Sequence, residues 1–203
     1  MKVTIEIPRD VLDKLEEELK EVKKPEAAVK TAVNAAAKTI QKNLSVKAAS
    51  EYRYKGKKSA FMAASKINKA TAKDPEAEIV FSGKVNEMQD FNLRNRKNGL
   101  AGAVLKSQRI RTLKGSTGKA FLVKFSNGHE AVATRQPPSK TIKKRGSKYT
   151  KHSAALRTWA SPSIPIMAGG ERVYGQLEEE SRNIVLEEIE KVMAKLVNQG
   201  GNG

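Results

Sequence analysis

This 203-residue sequence predicts an α+β fold in which two N-terminal helices and a long C-terminal helix pack on a mostly antiparallel sheet with a central hairpin. Three observations carry that prediction. Residues 119–136, KAFLVKFSNGHEAVATRQ, alternate apolar and polar side chains on either side of Asn127-Gly128. Asn-Gly between two such runs marks a β-hairpin whose two turn residues both take positive φ. Apolar residues recur at helical spacing over 9–22, 25–44 and 171–198, the pattern of helices with one buried face. Between them lie short runs of period two, separated by Asp, Pro and Gly turn signals. The expected organisation is one domain over 25–198, a leading strand and helix over 1–24, and a disordered tail at 199–203.

Taken in order, Val3, Ile5 and Ile7 alternate with Thr4 and Glu6 in a strand closed by Pro8. Asp10 leads a helix in which Val11, Leu12, Leu15, Leu19 and Val22 share a face. Pro25 suits the first turn of the next helix. Val29, Ala32, Val33, Ala36, Ile40 and Leu44 give that helix a narrow apolar face that another element can approach closely. Tyr52-Arg53-Tyr54-Lys55-Gly56-Lys57-Lys58 reads as a basic loop, and residues 59–64 as one helical turn. Strands are expected at 67–72 and 77–82, with Asp74-Pro75 turning between them, and again at 101–108 after a basic loop. Residues 115–118 turn the chain into the hairpin. Residues 136–152 carry no apolar periodicity and are dense in Lys and Arg, which reads as an exposed arm. The last helix spans about 38 Å if its roughly 25 residues rise 1.5 Å each. Glu178, Glu179, Glu180, Glu187 and Glu188 dominate its outer side.

The net charge is +17, and it is unevenly spread. Residues 1–51 carry +1, residues 52–160 carry +19, and residues 161–203 carry −3. Such a field favours phosphate polymers or acidic protein surfaces. The absence of cysteine excludes disulfides and thiolate metal sites and fits a reducing cytosol. No apolar run is long enough to span a membrane, and the first residues lack the apolar core of a secretory signal.

The chemical motifs are weak. Gly115-Ser116-Thr117-Gly118-Lys119 resembles a phosphate-binding loop only superficially, because its glycines are too close and Ala120 follows the lysine. His129 and His152, with no cysteine, do not make a usual zinc site. Ser163 lies outside any nucleophile elbow, and the carboxylates sit on helix faces rather than in acid–base pairs. The expectation is a protein that is not an enzyme and holds no cofactor or metal. Lys143, Lys144, Arg145, Lys148 and Lys151, with Tyr149 interleaved, form a candidate DNA or partner contact, cations for phosphates and a ring for stacking. The N-terminal strand, helix and helix also look like a ribbon–helix–helix DNA reader, although Glu6 would face phosphates and Lys23–Ala27 lacks the usual glycine and hydroxyl cap.

Several strings in order resemble the minor tail protein Z, or tail completion, family of long-tailed bacteriophages. They are Ala32-Val33-Asn34-Ala35-Ala36-Ala37, the basic Tyr-containing segment 51–58, the strand 77–83, and Ala120-Phe121-Leu122-Val123. Asn127-Gly128-His129, Val132-Ala133-Thr134-Arg135 and Ser161-Pro162-Ser163-Ile164-Pro165 follow, before the long C-terminal helix. The chain departs from the family at Leu156–Ala160 and in the length of the basic loop. The resemblance gives Phe121, Asn127, Gly128, His129, Arg135, Pro162, Ser163 and Pro165 structural roles. It implies a non-enzymatic virion protein of the tail or neck, assembled in the bacterial host cytoplasm. That protein would form a hexameric ring with itself, touch adjacent neck, tail-terminator or tail-tube proteins, and surround DNA in a channel, with no membrane contact. The alternative expectation is a DNA-binding protein using the N-terminal strand–helix–helix or the basic arm.

Overall fold

The computed structural model describes residues 2–5, 25–97, 99–137 and 156–200. Helices and antiparallel strands make an α+β protein. The described strands form five small antiparallel sheets of two or three strands each. Where the sequence suggests one domain over 25–198, the residues gather into two compact units. Unit 1 holds Met1–Ala49, Lys57–Gly83 and Ile164–Gly203, and unit 2 holds Ser50–Gly56 and Lys84–Ser163. The chain therefore passes between units four times.

Unit 1 is built on helix α1 (Pro25–Glu51). Ala28, Ala32, Ala36, Ile40, Leu44 and Ala48 recur every four residues and are buried, with Val33 and Ala37 beside them, so one ridge of small side chains faces inward. The helix continues seven residues past its expected end at Leu44. Neither Gly nor Pro intervenes, Ala48 is buried, and the Ser45 hydroxyl satisfies itself on the Gln41 carbonyl at 2.8 Å. Helix α2 (Lys57–Ala63) follows and buries Phe61. Strands β1 (Lys2–Ile5), β2 (Ser65–Asn68) and β3 (Ala77–Phe81) form a sheet with β3 in the middle, Ile79 lying opposite both Val3 and Ile67. Ala77, Ile79 and Phe81 are buried alternately, the period of a sheet covered on one face.

The strand expected at 67–72 stops at Asn68, because the backbone of Ala70 bonds elsewhere. Its N–H donates to Asn34 Oδ1 at 3.0 Å and its carbonyl accepts from Asn34 Nδ2 at 3.2 Å. At the C-terminal end, the long helix expected from 171 is two pieces, and a separate short helix precedes it. Helix α3 (Ile164–Gly169) buries Ile164, Met167 and Ala168, a π-helical turn occupies Glu171–Gly175, and helix α4 runs Gln176–Gly200. Residues 199 and 200, expected in a disordered tail, continue the helix. Val173, Leu177, Val185 and Ile189 supply its buried stripe, and Asn43 Nδ2 donates to Glu180 Oε1 at 3.0 Å, tying α1 to α4. The expected helix over 9–22 lies outside the described residues.

Unit 2 is a set of short ribbons around a small core. Its elements are β4 (Asn86–Glu87), a 3-10 turn (Met88–Asp90), β5 (Arg94–Arg96), β6 (Gly99–Gly102) and β7 (Arg111–Thr112). Then come β8 (Lys114–Gly115), β9 (Gly118–Lys119), β10 (Phe121–Lys124), β11 (Glu130–Arg135), β12 (Leu156–Thr158) and β13 (Ala160–Ser161). Met88, Leu100, Leu113, Ala120 and Val132 cluster in the core, with Leu93, Val104 and Trp159 packed on it. The expected strand at 101–108 is instead β6, ending at Gly102. Beyond it Arg53 gathers the carbonyls: its Nε donates to Leu105 O at 3.1 Å and one Nη donates to Lys106 O at 2.9 Å.

The hairpin forms, with β11 between β10 and β12. Its turn differs from the expected pair of positive-φ residues, since only Gly128, at φ 81°, is left-handed. Gly128 N–H donates to Phe125 O at 2.9 Å and Phe125 N–H to His129 O at 2.7 Å. This is the three-residue loop, a turn followed by a left-handed glycine, which also matches the twist of the strands.

Candidate functional site

The described part of unit 2 contains a cleft of about 530 Å³. One wall is the β8–β9 ribbon, where Lys114 pairs with Lys119 and Gly115 with Gly118 around the Ser116-Thr117 turn. The other wall is the end of the β11–β12 ladder, where Thr134 lies opposite Arg157 and Ala133 opposite Thr158. The two walls are locked together. The Thr117 hydroxyl donates to the Arg135 carbonyl, and Gly115 lies so close to Thr134 that a Cβ on it would sit 2.8 Å from the Thr134 side chain. Only glycine permits that approach.

Lys114, Arg135 and Arg157 line the cleft with the hydroxyl residues Ser116, Thr134 and Thr158, and among the described residues no carboxylate lines it. The Arg135 guanidinium lies 5.5 Å from the centroid of the Phe121 ring, a cation–π contact that holds the side chain in place without neutralising it. Trp159 also lines the site; its backbone N–H donates to Val132 O at 2.8 Å and its carbonyl accepts from the Met88 N–H at 3.3 Å. Unit 2 as a whole has 20 Lys and Arg against 4 Asp and Glu, a net +16, whereas unit 1 has 19 against 18, a net +1. The described residues of unit 2 alone have 14 Lys and Arg against 4 Asp and Glu, so the cleft sits in a positive field, chemically suited to hold an anion.

Of the sequence-derived site residues that are described, Arg135 lines the cleft and the others lie elsewhere. Lys143, Lys144, Arg145, Lys148, Tyr149 and Lys151 lie outside the described residues. Phe121 and Arg135 meet at one end of the β10–β11 ladder. Asn127, Gly128 and His129 form the loop at the other end, where Asn127 Oδ1 accepts the His129 N–H at 3.0 Å. His129 stacks on Phe125 with centroids 5.8 Å apart, and its Nε2 lies 3.3 Å from Glu87 Oε1. The Pro162 carbonyl accepts from Asn86 Nδ2 at 2.7 Å, and Ser163 is buried. Pro165 lies in α3, its Cδ 3.3 Å from the position of a Cβ on Gly83. Tyr54 packs against Phe91 at 5.5 Å, and burial, followed by the Asp90 carboxylate, pushes its phenol above the ordinary range.

Sequence reasoning missed Lys114, Ser116, Thr134, Arg157 and Thr158. They come from three separated segments; apart from Ser116, which belongs to the 115–119 string that departs from a phosphate-binding loop, only the general density of cations points at them. Among the described residues, no group of three His, Cys, Asp or Glu gathers to hold a metal ion. None of the described helices is long and apolar enough to cross a membrane. No family model, curated protein or solved structure matches this chain.

Proposed function

We propose that the chain is a non-enzymatic structural protein of a phage particle, or of a phage-derived tail-like particle. It completes the tail or joins it to the head, and assembles with itself as a ring, a hexamer in the reading favoured by the resemblance. One observation carries the reading: the ordered strings that resemble the tail completion family occupy positions of scaffolding. Asn34 pins the Ala70 backbone from α1. Gly128 supplies the left-handed turn residue. Ser161–Pro165 spans one of the four places where the chain passes between units. None of these residues is arranged as an acid, base or nucleophile. Native mass measurement of the purified protein, with electron microscopy of negatively stained samples, tests it. A closed ring of fixed subunit number supports the reading, and a monomer that neither closes nor enters particles overturns it.

A second reading, a DNA-binding protein, is favoured by the +16 of unit 2. A chain that binds duplex DNA as a monomer or dimer and forms no ring would establish it in place of the first. Its N-terminal version meets one constraint. Strand β1 pairs with β3 of the same chain, so a ribbon shared between two copies would have to use the opposite edge of β1.

A further inference from the structure

We propose that the cleft between the β8–β9 turn and the β11–β12 ladder is a phosphate site that takes the backbone of a nucleic acid without reading its bases. Lys114, Arg135 and Arg157 offer charge, Ser116, Thr134 and Thr158 are the hydroxyl residues of the lining, and among the described residues no carboxylate of the lining competes with an incoming anion. A guanidinium presents a planar fork that matches two phosphate oxygens. Arg135 is already oriented by the Phe121 ring and by the bond from Thr117 to its backbone, so less side-chain freedom is lost on binding. Arg157 stands one rung away, opposite Thr134.

Charge decides between a nucleic acid and another protein surface. The exposed carboxylates of α4, at Glu178, Glu179, Glu180, Glu187 and Glu190, are the natural acidic partner within the chain itself. Each additional copy, however, brings a further +17. Self-association through that helix leaves the excess of unit 2 uncompensated and accumulates it around any ring. A polyanion with regularly spaced charge removes the excess, and duplex DNA carries about one charge per 1.7 Å of its axis. Contacts to phosphates alone position a protein without specifying sequence. The site is independent of ring formation and is testable on the purified protein.

The experiment is fluorescence anisotropy with a labelled random-sequence duplex, titrated from about 50 to 200 mM salt. The variant Lys114→Gln/Arg135→Gln/Arg157→Gln is compared with Arg94→Gln/Arg96→Gln/Lys97→Gln, which removes equal charge from an exposed part of unit 2. The cleft variant is expected to bind at least about tenfold more weakly, with the slope of log K against log salt reduced by roughly 2 to 3. The second variant should lose markedly less, and two unrelated duplexes should bind alike. Ser116→Glu and Thr158→Glu, at exposed positions that retain every cation, should weaken binding while leaving the melting temperature unchanged, which guards against a variant that merely unfolds. Equal losses in the two triple variants, or no binding by the parent protein, would overturn the proposal. Displacement of the duplex by polyglutamate at equal charge concentration would assign the cleft to an acidic protein, and displacement by a nucleoside monophosphate at equal phosphate concentration to a small ligand; either result overturns it.

Discussion

Unit 1 buries one face of a 27-residue helix together with the fully covered side chains of Phe61, Ile79, Phe81 and Met167, and carries a net charge of +1. Unit 2 gathers ten described strands of two to six residues around a modest cluster and carries +16. Long packed helices give unit 1 cooperative stability. Unit 2 has short ladders, backbone-gathering side chains such as Arg53 and Asn86, and an excess of like charge that opposes a compact state by self-repulsion. Substitutions that lower stability most are therefore expected in unit 1, and those that alter the proposed anion binding in unit 2.

The largest expected effect is in unit 1. Phe61→Ala empties a fully buried position and should cost about 3–5 kcal/mol. Urea unfolding followed by amide exchange should place the loss of protection in unit 1, and equal loss in both units would break the comparison. In unit 2, Gly102→Ala would put a Cβ 2.6 Å from Leu93 Cδ2 and 2.9 Å from Met88 Cε. Overpacking of this kind costs about 1–3 kcal/mol, and should lower the unfolding midpoint of unit 2 first. Asn34→Ala removes both bonds to Ala70 and should cost about 1–2 kcal/mol in unit 1, with the backbone signals of 69–71 shifting most.

The smallest effect expected is that of pH on the edge of the first sheet. Lys2 and Glu78 form an exposed ion pair. Their hydrogen bond, the largest cause, raises the Lys2 pKa above its ordinary 10.5 and lowers the Glu78 pKa below its ordinary 4.5. The Glu78 contribution is therefore present above pH 4.5 and lost as pH falls through its depressed folded value. That of Lys2 is complete below pH 10.5 and lost as pH rises through its elevated one. Exchange of the β1 amides should quicken at both extremes, and Lys2→Met should flatten the dependence.

Periodicity revealed what depends on neighbours in sequence. The ridge of α1, the alternation of Ala77, Ile79 and Phe81, and the positions of β10 and β11 all follow from spacing alone. Element ends were less legible, because distant side chains set them. Asn34 takes the backbone bonds of Ala70 that a longer strand would use, and Arg53 takes the carbonyls after β6. The hairpin loop took the three-residue form because Gly128 alone adopts positive φ there. The cleft was invisible for a related reason. Lys114 and Arg157 are 43 positions apart in sequence, and only the crossing of β8 with β11 brings them together.

The interleaving of the two units also bears on the order in which the protein matures during synthesis. Unit 2 ends at Ser163, whereas unit 1 requires Ile164–Gly203 in addition to its earlier segments. As the chain emerges from the ribosome, all of unit 2 is available while α3 and α4 are still being made. Domains tend to fold as units as soon as they are complete. The basic unit is therefore expected to close first. The acidic helix that completes unit 1 emerges after all of unit 2, so unit 1 becomes native only once α4 has been made.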